Sequence, residues 1–180
     1  MTDLRWKPSV TVAAIVERAG PDGPEYLLVE EHTPEGLRLN NPAGHLEPGE
    51  TPLQAVCREA LEETGRHFRP AHLLGVYLAR FQRQATGEDI TYLRLAYSGT
   101  CGEPEAGLQL DEGIVRTVWM RPGNIRDSQH LHRSPLVWRC IEDHLAGRRY
   151  PVELVVADAS LLAPDLKPVV KLPPGPKSMP

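Results

Sequence analysis

The stretch that decides the fold is GHLEPGETPLQAVCREALEETG, residues 44–65. Within it, Thr51 suits a helix N-cap, and Gln54 stands three residues later, where it completes a capping box. Gly65 supplies the left-handed residue that commonly ends a helix. The sequence therefore predicts a helix over 52–64 that is held between two loops.

This helix has an apolar face and an acidic face, because successive residues turn by about 100°. The apolar face contains Leu53, Val56, Cys57, Ala60, Leu61 and Thr64. The acidic face contains Glu59, Glu62 and Glu63, which are neighbours at i,i+3 and i,i+4 spacing. We expect the apolar face to pack against the core and the acidic face to remain unpacked.

The acidic face has two interpretations. A solvated face is the ordinary one, since exposed charged faces are common on helices. In a pocket, however, each carboxylate pair would repel by up to roughly 3 kcal/mol, and clustering would then require a cation. Carboxylate oxygens suit Mg²⁺ or Mn²⁺.

Apolar segments on both sides of the helix predict a sheet. The candidate strands are 9–16 and 26–30, which form a hairpin, 73–82 and 90–98, which form a second hairpin, and 115–120. The first strand is apolar on both alternating faces, so layers are expected on both sides of the sheet. Ser134 as N-cap and Pro135 at N1 predict a second helix that ends near Gly147. Two helices and about six strands indicate an α/β fold with a mixed sheet.

Size and composition limit the number of domains and the kinds of partner. The 180 residues fit one domain, here 1–160, and a tail over 161–180, because six prolines fall among the last 18 residues. A net charge of −4 argues against nucleic acid as a partner. Three cysteines without metal or redox spacing indicate reduced thiols, and the N-terminal apolar run is too short to span a bilayer. We therefore expect a cytoplasmic protein that has no membrane partner.

Gly44, Glu50 and the run from Arg58 to Gly65 have the spacing of the Nudix box, a loop–helix–loop signature of 23 residues. The chain resembles the Nudix hydrolase family in this segment, with Arg66 where the family usually has an aliphatic residue. The resemblance implies an α/β/α sandwich and hydrolysis of a diphosphate by metal-activated water.

The resemblance also assigns roles to individual residues. It implies that Glu59, Glu62 and Glu63 bind the metal, together with the backbone carbonyl of Ala43. Gly44, Glu50, Arg58 and Gly65 are expected to be auxiliary, Arg58 and Glu50 by holding the carboxylates in place or by forming a structural salt bridge. The general base is one of the three glutamates or an acid of a later loop, where Asp111 and Glu112 stand, and we include Glu112 among the catalytic residues.

Segments outside the box narrow the resemblance to NudJ-type phosphatases. They include Lys7–Pro8, the run 42–47, the run 133–137 and Arg149–Tyr150–Pro151. The implied activity removes phosphate from hydroxymethylpyrimidine pyrophosphate, thiamine pyrophosphate or nucleoside di- and triphosphates. Alternatives are an ADP-ribose or nucleoside diphosphate sugar pyrophosphatase, and a regulator that binds nucleotide without catalysis.

Three residues outside the helix are expected to bind the substrate. Arg94 and Tyr92 share a strand face, from which they would contact phosphate and ring. The alternative for Arg94 is a sheet residue whose charged end reaches solvent. Arg133 lies in a loop that would contact solvent or phosphate. The partner is thus a small pyrophosphate compound, and the protein is a monomer or a homodimer.

Overall fold

Strand β1 (Ser9–Gly20) lies at the centre of a mixed sheet in the computed structural model, which describes residues 6–82 and 87–162. It pairs in parallel with β6 (Asp89–Cys101) and antiparallel with the short β4 (Ala43–His45). The far end of β1 forms the predicted hairpin with β2 (Gly23–Thr33). β1 therefore joins both halves of the sheet.

The remaining strands extend the sheet on both sides of β1. β3 (Gly36–Asn40) and β7 (Ile114–Met120) both pair with β2. β5 (Phe68–Gln82) pairs antiparallel with β6, as the second predicted hairpin requires. The order is β3-β2-β1-β6-β5, with β4 attached to β1 and β7 to β2. The prediction of a mixed sheet is confirmed, although the short β3 and β4 were not foreseen.

Helix α1 (Pro52–Thr64) begins and ends as the sequence predicts. The Thr51 hydroxyl accepts a hydrogen bond from the Gln54 N–H at 3.2 Å, and the Gln54 side chain accepts one from the Thr51 N–H at 2.8 Å. Gly65 closes the helix with φ 67°, a conformation that costs glycine little. Local sequence signals thus set both ends of α1.

Two further helices follow β7. α2 (Pro122–Asp127) is short and was not predicted, and α3 (Leu136–Leu145) is the predicted second helix. α3 begins one residue later than expected, with Pro135 as its N-cap, while the Ser134 hydroxyl accepts from the Leu136 N–H at 3.3 Å.

The sheet has an apolar layer on each face. On one side Val12 and Ala14 of β1 pack with Val56 and Ala60 of α1. On the other side Ala13 and Ile15 pack with residues of α2 and α3, namely Ile125, Val137 and Ile141. These side chains are nearly inaccessible to water, and each large one stabilises the fold by about 1.5–3 kcal/mol. The expected sandwich, with helices on both faces, is confirmed.

A short 3₁₀ turn, Gln129–Leu131, lies between α2 and α3, and the described chain after α3 contains two further 3₁₀ turns, at Val152–Leu154 and Ala159–Leu162. The last of these crosses the predicted boundary between domain and tail. Most of that tail, residues 163–180, lies outside the described residues. Within the described ranges, no helix is long and apolar enough to cross a membrane. Cys57, Cys101 and Cys140 are unpaired.

Candidate active site

The acidic face of α1 is packed against strand β4, which corrects the expectation that it would remain unpacked. Glu59 and Glu63 are each only 8% exposed, and Glu62 is partly exposed. The Glu59 carboxylate lies directly against Gly44, where a Cβ atom would overlap it. The glycine of the box is therefore a site of close approach between β4 and α1.

Ala43 joins the same strand to Glu63. Its N–H donates a hydrogen bond to Glu63 Oε2 at 2.8 Å, and β4 is held in turn by pairing with β1, Ala43 opposite Ala13. Ala43 also lines the cavity described below. Its position beside Glu63 is compatible with the metal-ligand role that the sequence suggested for its carbonyl, a role that stays a prediction.

Arg58 connects three carboxylates of the box. Its Nη1 donates to Glu59 Oε1 and to Glu62 Oε2, both at 2.8 Å. Its Nε and Nη2 donate to Glu50 at 3.1 and 2.7 Å, and Nη2 also donates to the His45 carbonyl at 3.0 Å. A planar guanidinium with five N–H donors is suited to such bridging.

Burial and mutual repulsion shift the protonation of these groups. Burial raises the pKa of Glu63 to about 8, against the Ala43 hydrogen bond, and Glu59, Glu31 and Asp111 add to the rise. The pKa of Glu59 is also raised, chiefly by burial, although Arg58 opposes this. By contrast, the hydrogen bond from Arg58 lowers the pKa of Glu50. Burial therefore favours the neutral forms of the Glu59 and Glu63 carboxyl groups.

A cavity of about 460 Å³ opens beside this cluster. Its acidic wall consists of Glu59, Glu62, Glu63 and Asp111, with Arg58 among them. Other lining residues include Thr11, Asn40 and Arg94, the rings of His45, Phe81 and Tyr92, and the residues Glu31, Arg133, Ser134 and Leu136. The cavity thus combines an acidic wall with aromatic side chains and three arginines.

All three predicted substrate-binding residues line this cavity. Tyr92 stacks on Phe81 with the ring centroids 5.3 Å apart. Arg94 is 7% exposed, so its charged end does not reach solvent, and its Nε and Nη1 lack hydrogen-bond partners among the described residues. Arg133 Nη1 lies 3.7 Å from Glu31 Oε2. The structure thus brings these residues to one place, and their role in binding stays a prediction.

Glu112 is exposed and does not line the cavity, whereas its neighbour Asp111 does. The Asp111 N–H donates to the carbonyl of Glu62 at 3.0 Å, and the Asp111 carbonyl accepts from the Ile114 N–H at 3.1 Å. These bonds fix Asp111 beside the C-terminal end of α1. Of the two acids considered, the structure places Asp111 at the cavity and not Glu112.

Arg66, the departure from the box, lies outside the cavity. It is 9% exposed, its Nη1 donates to the Gly102 carbonyl at 2.8 Å, and its guanidinium lies 5.7 Å from the centre of the Trp119 ring. Arg18 lies over the same ring at 4.2 Å. Arg66 therefore contributes to the packing around Trp119 and not to the cavity. Gly65 likewise serves the end of the helix and does not line the cavity.

Sequence reasoning missed several cavity residues, among them Thr11, Glu31, Asn40 and Phe81. Thr11 is a polar residue inside the apolar run 9–16, and this contrast could have indicated that it lines a site. Glu31 follows a register shift between β2 and β7 at Glu30 and Glu31. Such irregularities redirect side chains near active sites, but the sequence does not reveal them.

Comparison with known proteins agrees with this geometry. The NUDIX domain model matches residues 7–138. The chain is 33% identical over 150 residues to phosphatase NudJ of Escherichia coli K12, covering 83% of this chain and 92% of that protein. It is 47% identical to a NUDIX hydrolase from Nitrosomonas europaea, with a TM-score of 0.74, covering 84% of this chain and 98% of that one.

A more distant structure resembles the chain in fold alone. The NUDIX domain of Shewanella oneidensis NrtR, solved in complex with ADP ribose, is 15% identical at a TM-score of 0.60, covering 82% of this chain and 92% of that one. The family model spans most of the chain, and its match includes the loop, the helix and β6. The chain is therefore a Nudix hydrolase, a member of the family that its loop and helix resemble.

Proposed function

We propose that the protein removes the terminal phosphate from a small pyrophosphate compound with the help of Mg²⁺ or Mn²⁺. The candidates are hydroxymethylpyrimidine pyrophosphate, thiamine pyrophosphate and nucleoside di- or triphosphates. The observation that supports this most is the convergence of Glu59, Glu62 and Glu63 on one cavity that also contains Arg94 and Arg133. Such a site would combine acidic groups that bind metal with basic groups that bind phosphate.

The residues present fit a hard divalent cation. Glu59 and Glu63 are buried carboxylates with raised pKa values, and a cation would favour their charged forms. Among the described residues no three acidic, histidine or cysteine side chains already surround one point. Arg58 Nη1 bonds one oxygen of Glu59 and one of Glu62, which leaves the second oxygen of each carboxylate for a cation. The Ala43 carbonyl would supply a further oxygen.

Several cavity residues have roles that do not depend on direct metal contact. When bound, the metal would neutralise phosphate oxygens and lower the pKa of water, as divalent ions do in phosphoryl transfer. Arg94 and Arg133 would hold the phosphates, and the ring of Tyr92 would support the organic part of the substrate. Asp111, the loop carboxylate that lines the cavity, would accept a proton from the attacking water.

The cellular setting belongs to the same proposal. The unpaired cysteines are compatible with a reducing cytoplasm, and the overall charge of −4 favours a small substrate over nucleic acid. We propose that the active unit is a monomer or a homodimer.

Phosphate release tests the proposal directly. Purified protein with Mg²⁺ or Mn²⁺ is offered hydroxymethylpyrimidine pyrophosphate, thiamine pyrophosphate, nucleoside di- and triphosphates and ADP-ribose. We expect free phosphate without an added phosphatase, and loss of it in Glu62→Gln and Glu63→Gln. Glu153→Gln, which changes an exposed acid that does not line the cavity, is the control.

Two other outcomes would point elsewhere. Phosphate that appears only after a phosphatase is added, above all with ADP-ribose, would indicate a nucleoside diphosphate sugar pyrophosphatase. Tight nucleotide binding without turnover of any compound in the panel would indicate a regulator and reject the proposal.

A further inference from the structure

Four side chains that line the cavity have buried polar atoms without hydrogen-bond partners in the described parts of the chain. These atoms are Thr11 Oγ1, Glu31 Oε1, Asn40 Oδ1, and Nε and Nη1 of Arg94. Thr11, Asn40 and Arg94 are between 4% and 7% exposed. We call Thr11, Asn40 and Arg94 the polar floor of the cavity.

The polar floor is built by residues of three strands of the sheet. Thr11 of β1 and Arg94 of β6 are direct partners in the parallel register, and Asn40 is the last residue of β3. A buried polar group without a partner costs about 1–3 kcal/mol, and more than nine in ten such groups are paired in native proteins. Several unpaired atoms in one cavity therefore indicate that a ligand completes them.

The chemistry of these atoms restricts the ligand. Asn40 Oδ1 and Glu31 Oε1 are acceptors, so they require ligand N–H or O–H groups. The Arg94 atoms are donors, so they require ligand acceptors. A phosphate offers only acceptors, and it would be repelled by Glu31. An amine next to ring nitrogen or carbonyl acceptors satisfies both sets.

The aromatic residues beside the floor favour a flat ligand. The Phe81 and Tyr92 rings are stacked at an interplanar angle of 23°, and the His45 ring lies 5.9 Å from Tyr92. All three line the cavity. Offset stacking on such rings adds to the stabilisation that burial gives a planar group.

We propose that Thr11, Asn40 and Arg94, with Glu31, determine substrate specificity by holding an amine-bearing planar heterocycle at the end of the substrate opposite the diphosphate. This inference rests on the proposed function, because the diphosphate must then lie against the acidic wall. It reassigns Arg94 from phosphate to the ring.

Cytidine and uridine diphosphate test the assignment, since their rings differ mainly in an amine where uracil has a carbonyl. We expect kcat/KM for cytidine diphosphate to exceed that for uridine diphosphate about tenfold or more, because a hydrogen-bonding site discriminates strongly against a mismatched edge. Thr11→Val and Asn40→Leu bring the ratio close to one. Thr100→Val, an exposed threonine at the end of β6, keeps the ratio of the natural chain.

The melting temperatures of the variants show whether Thr11 and Asn40 recognise the substrate or stabilise the fold. Thr11→Val and Asn40→Leu each remove a buried atom that has no partner, so the ligand-free melting temperature stays unchanged or rises. A clear fall in melting temperature with an unchanged substrate ratio would show that these residues serve the fold. A ratio near one in the natural chain would also overturn the proposal.

Binding of the monophosphates distinguishes this inference from the proposed hydrolysis. Calorimetry without metal should show that cytidine monophosphate binds about tenfold more tightly than uridine monophosphate, and that Asn40→Leu removes the difference. If this preference appears without turnover of any diphosphate, the subsite stands and the hydrolase proposal fails. Equal binding and equal turnover of both pyrimidines would reject the subsite and leave the hydrolase proposal intact.

Discussion

Gly44 approaches Glu59 so closely that any side chain at position 44 would occupy the place of the Glu59 carboxylate. We therefore expect Gly44→Ala to displace Glu59 and to lower kcat at least about 100-fold, since small misplacements of catalytic groups have large effects. Unfolding free energy should fall by about 1–3 kcal/mol. Phosphate release and urea unfolding measure the two effects.

Gly123→Ala is the matched control for that experiment, because a Cβ atom at Gly123 meets no heavy atom within 4 Å. It should retain both activity and stability. Full activity in Gly44→Ala would show that the contact with Glu59 has no catalytic importance.

Arg58 bonds three carboxylates, and lysine cannot reproduce this geometry although it keeps the charge. Arg58→Lys should lower kcat by about 10–100-fold, because Glu50, Glu59 and Glu62 lose their common orientation. Kinetics at saturating Mg²⁺ provide the measurement. Arg121→Lys, at an exposed surface position, should behave as the natural chain. Equal kinetics in the two variants would assign Arg58 a purely structural role.

Asp111 and Glu112 are adjacent acids, of which only Asp111 lines the cavity. If Asp111 accepts the proton of the attacking water, Asp111→Asn should lower kcat by about 10²–10⁴-fold. Glu112→Gln should leave kcat unchanged. The kcat of both variants is measured at identical metal concentrations. If Glu112→Gln lowers kcat and Asp111→Asn does not, Glu112 is the catalytic residue that the sequence suggested.

Glu63 makes the stability of the metal-free protein depend on pH. Its folded pKa of about 8 is above the ordinary value of 4.5, so the folded state binds more protons than the unfolded state between these values. Stability from this group is complete below pH 4.5 and is lost as pH rises through 8, by on the order of 3–5 kcal/mol.

Urea unfolding in the presence of a chelator, at pH 5 and pH 8, measures this loss. Glu63→Gln should flatten the difference between the two pH values, because glutamine does not titrate. Mg²⁺ should restore stability at pH 8 in the natural chain and much less in the variant, since only the folded state offers the assembled carboxylates. An identical pH dependence in chain and variant would contradict the assignment.

The sequence predicted most reliably what depends on neighbouring residues. Thr51, Gln54 and Gly65 set the ends of α1 through contacts within a few positions, so their residue types were sufficient. The burial of Glu59 and Glu63 was missed, because it depends on β4, a strand of three residues that has no periodic signal. Which of Asp111 and Glu112 lines the cavity also depends on tertiary structure, since the side chains of adjacent loop residues point in different directions that the sequence does not reveal.

The cavity residues show the same distinction. Arg94 and Tyr92 were placed on one strand face by the alternation of β6, which is a local property. Thr11 and Asn40 come from separate strands, and only the register of the folded sheet brings them near Arg94. Pattern analysis of single segments cannot supply a register between strands that lie far apart in the chain.

The parallel pairing of β1 with β6 has a consequence for how the protein folds. Thr11 and Arg94 become neighbours only after a long segment of chain, containing α1 and four strands, has closed into a loop. Closing such a loop loses entropy before the contacts compensate, so pairings of this kind form slowly. A nascent chain would therefore have its capped acidic helix before it has the pair Thr11 and Arg94, so the part of the site that depends on local contacts would form before the part that distinguishes one substrate from another.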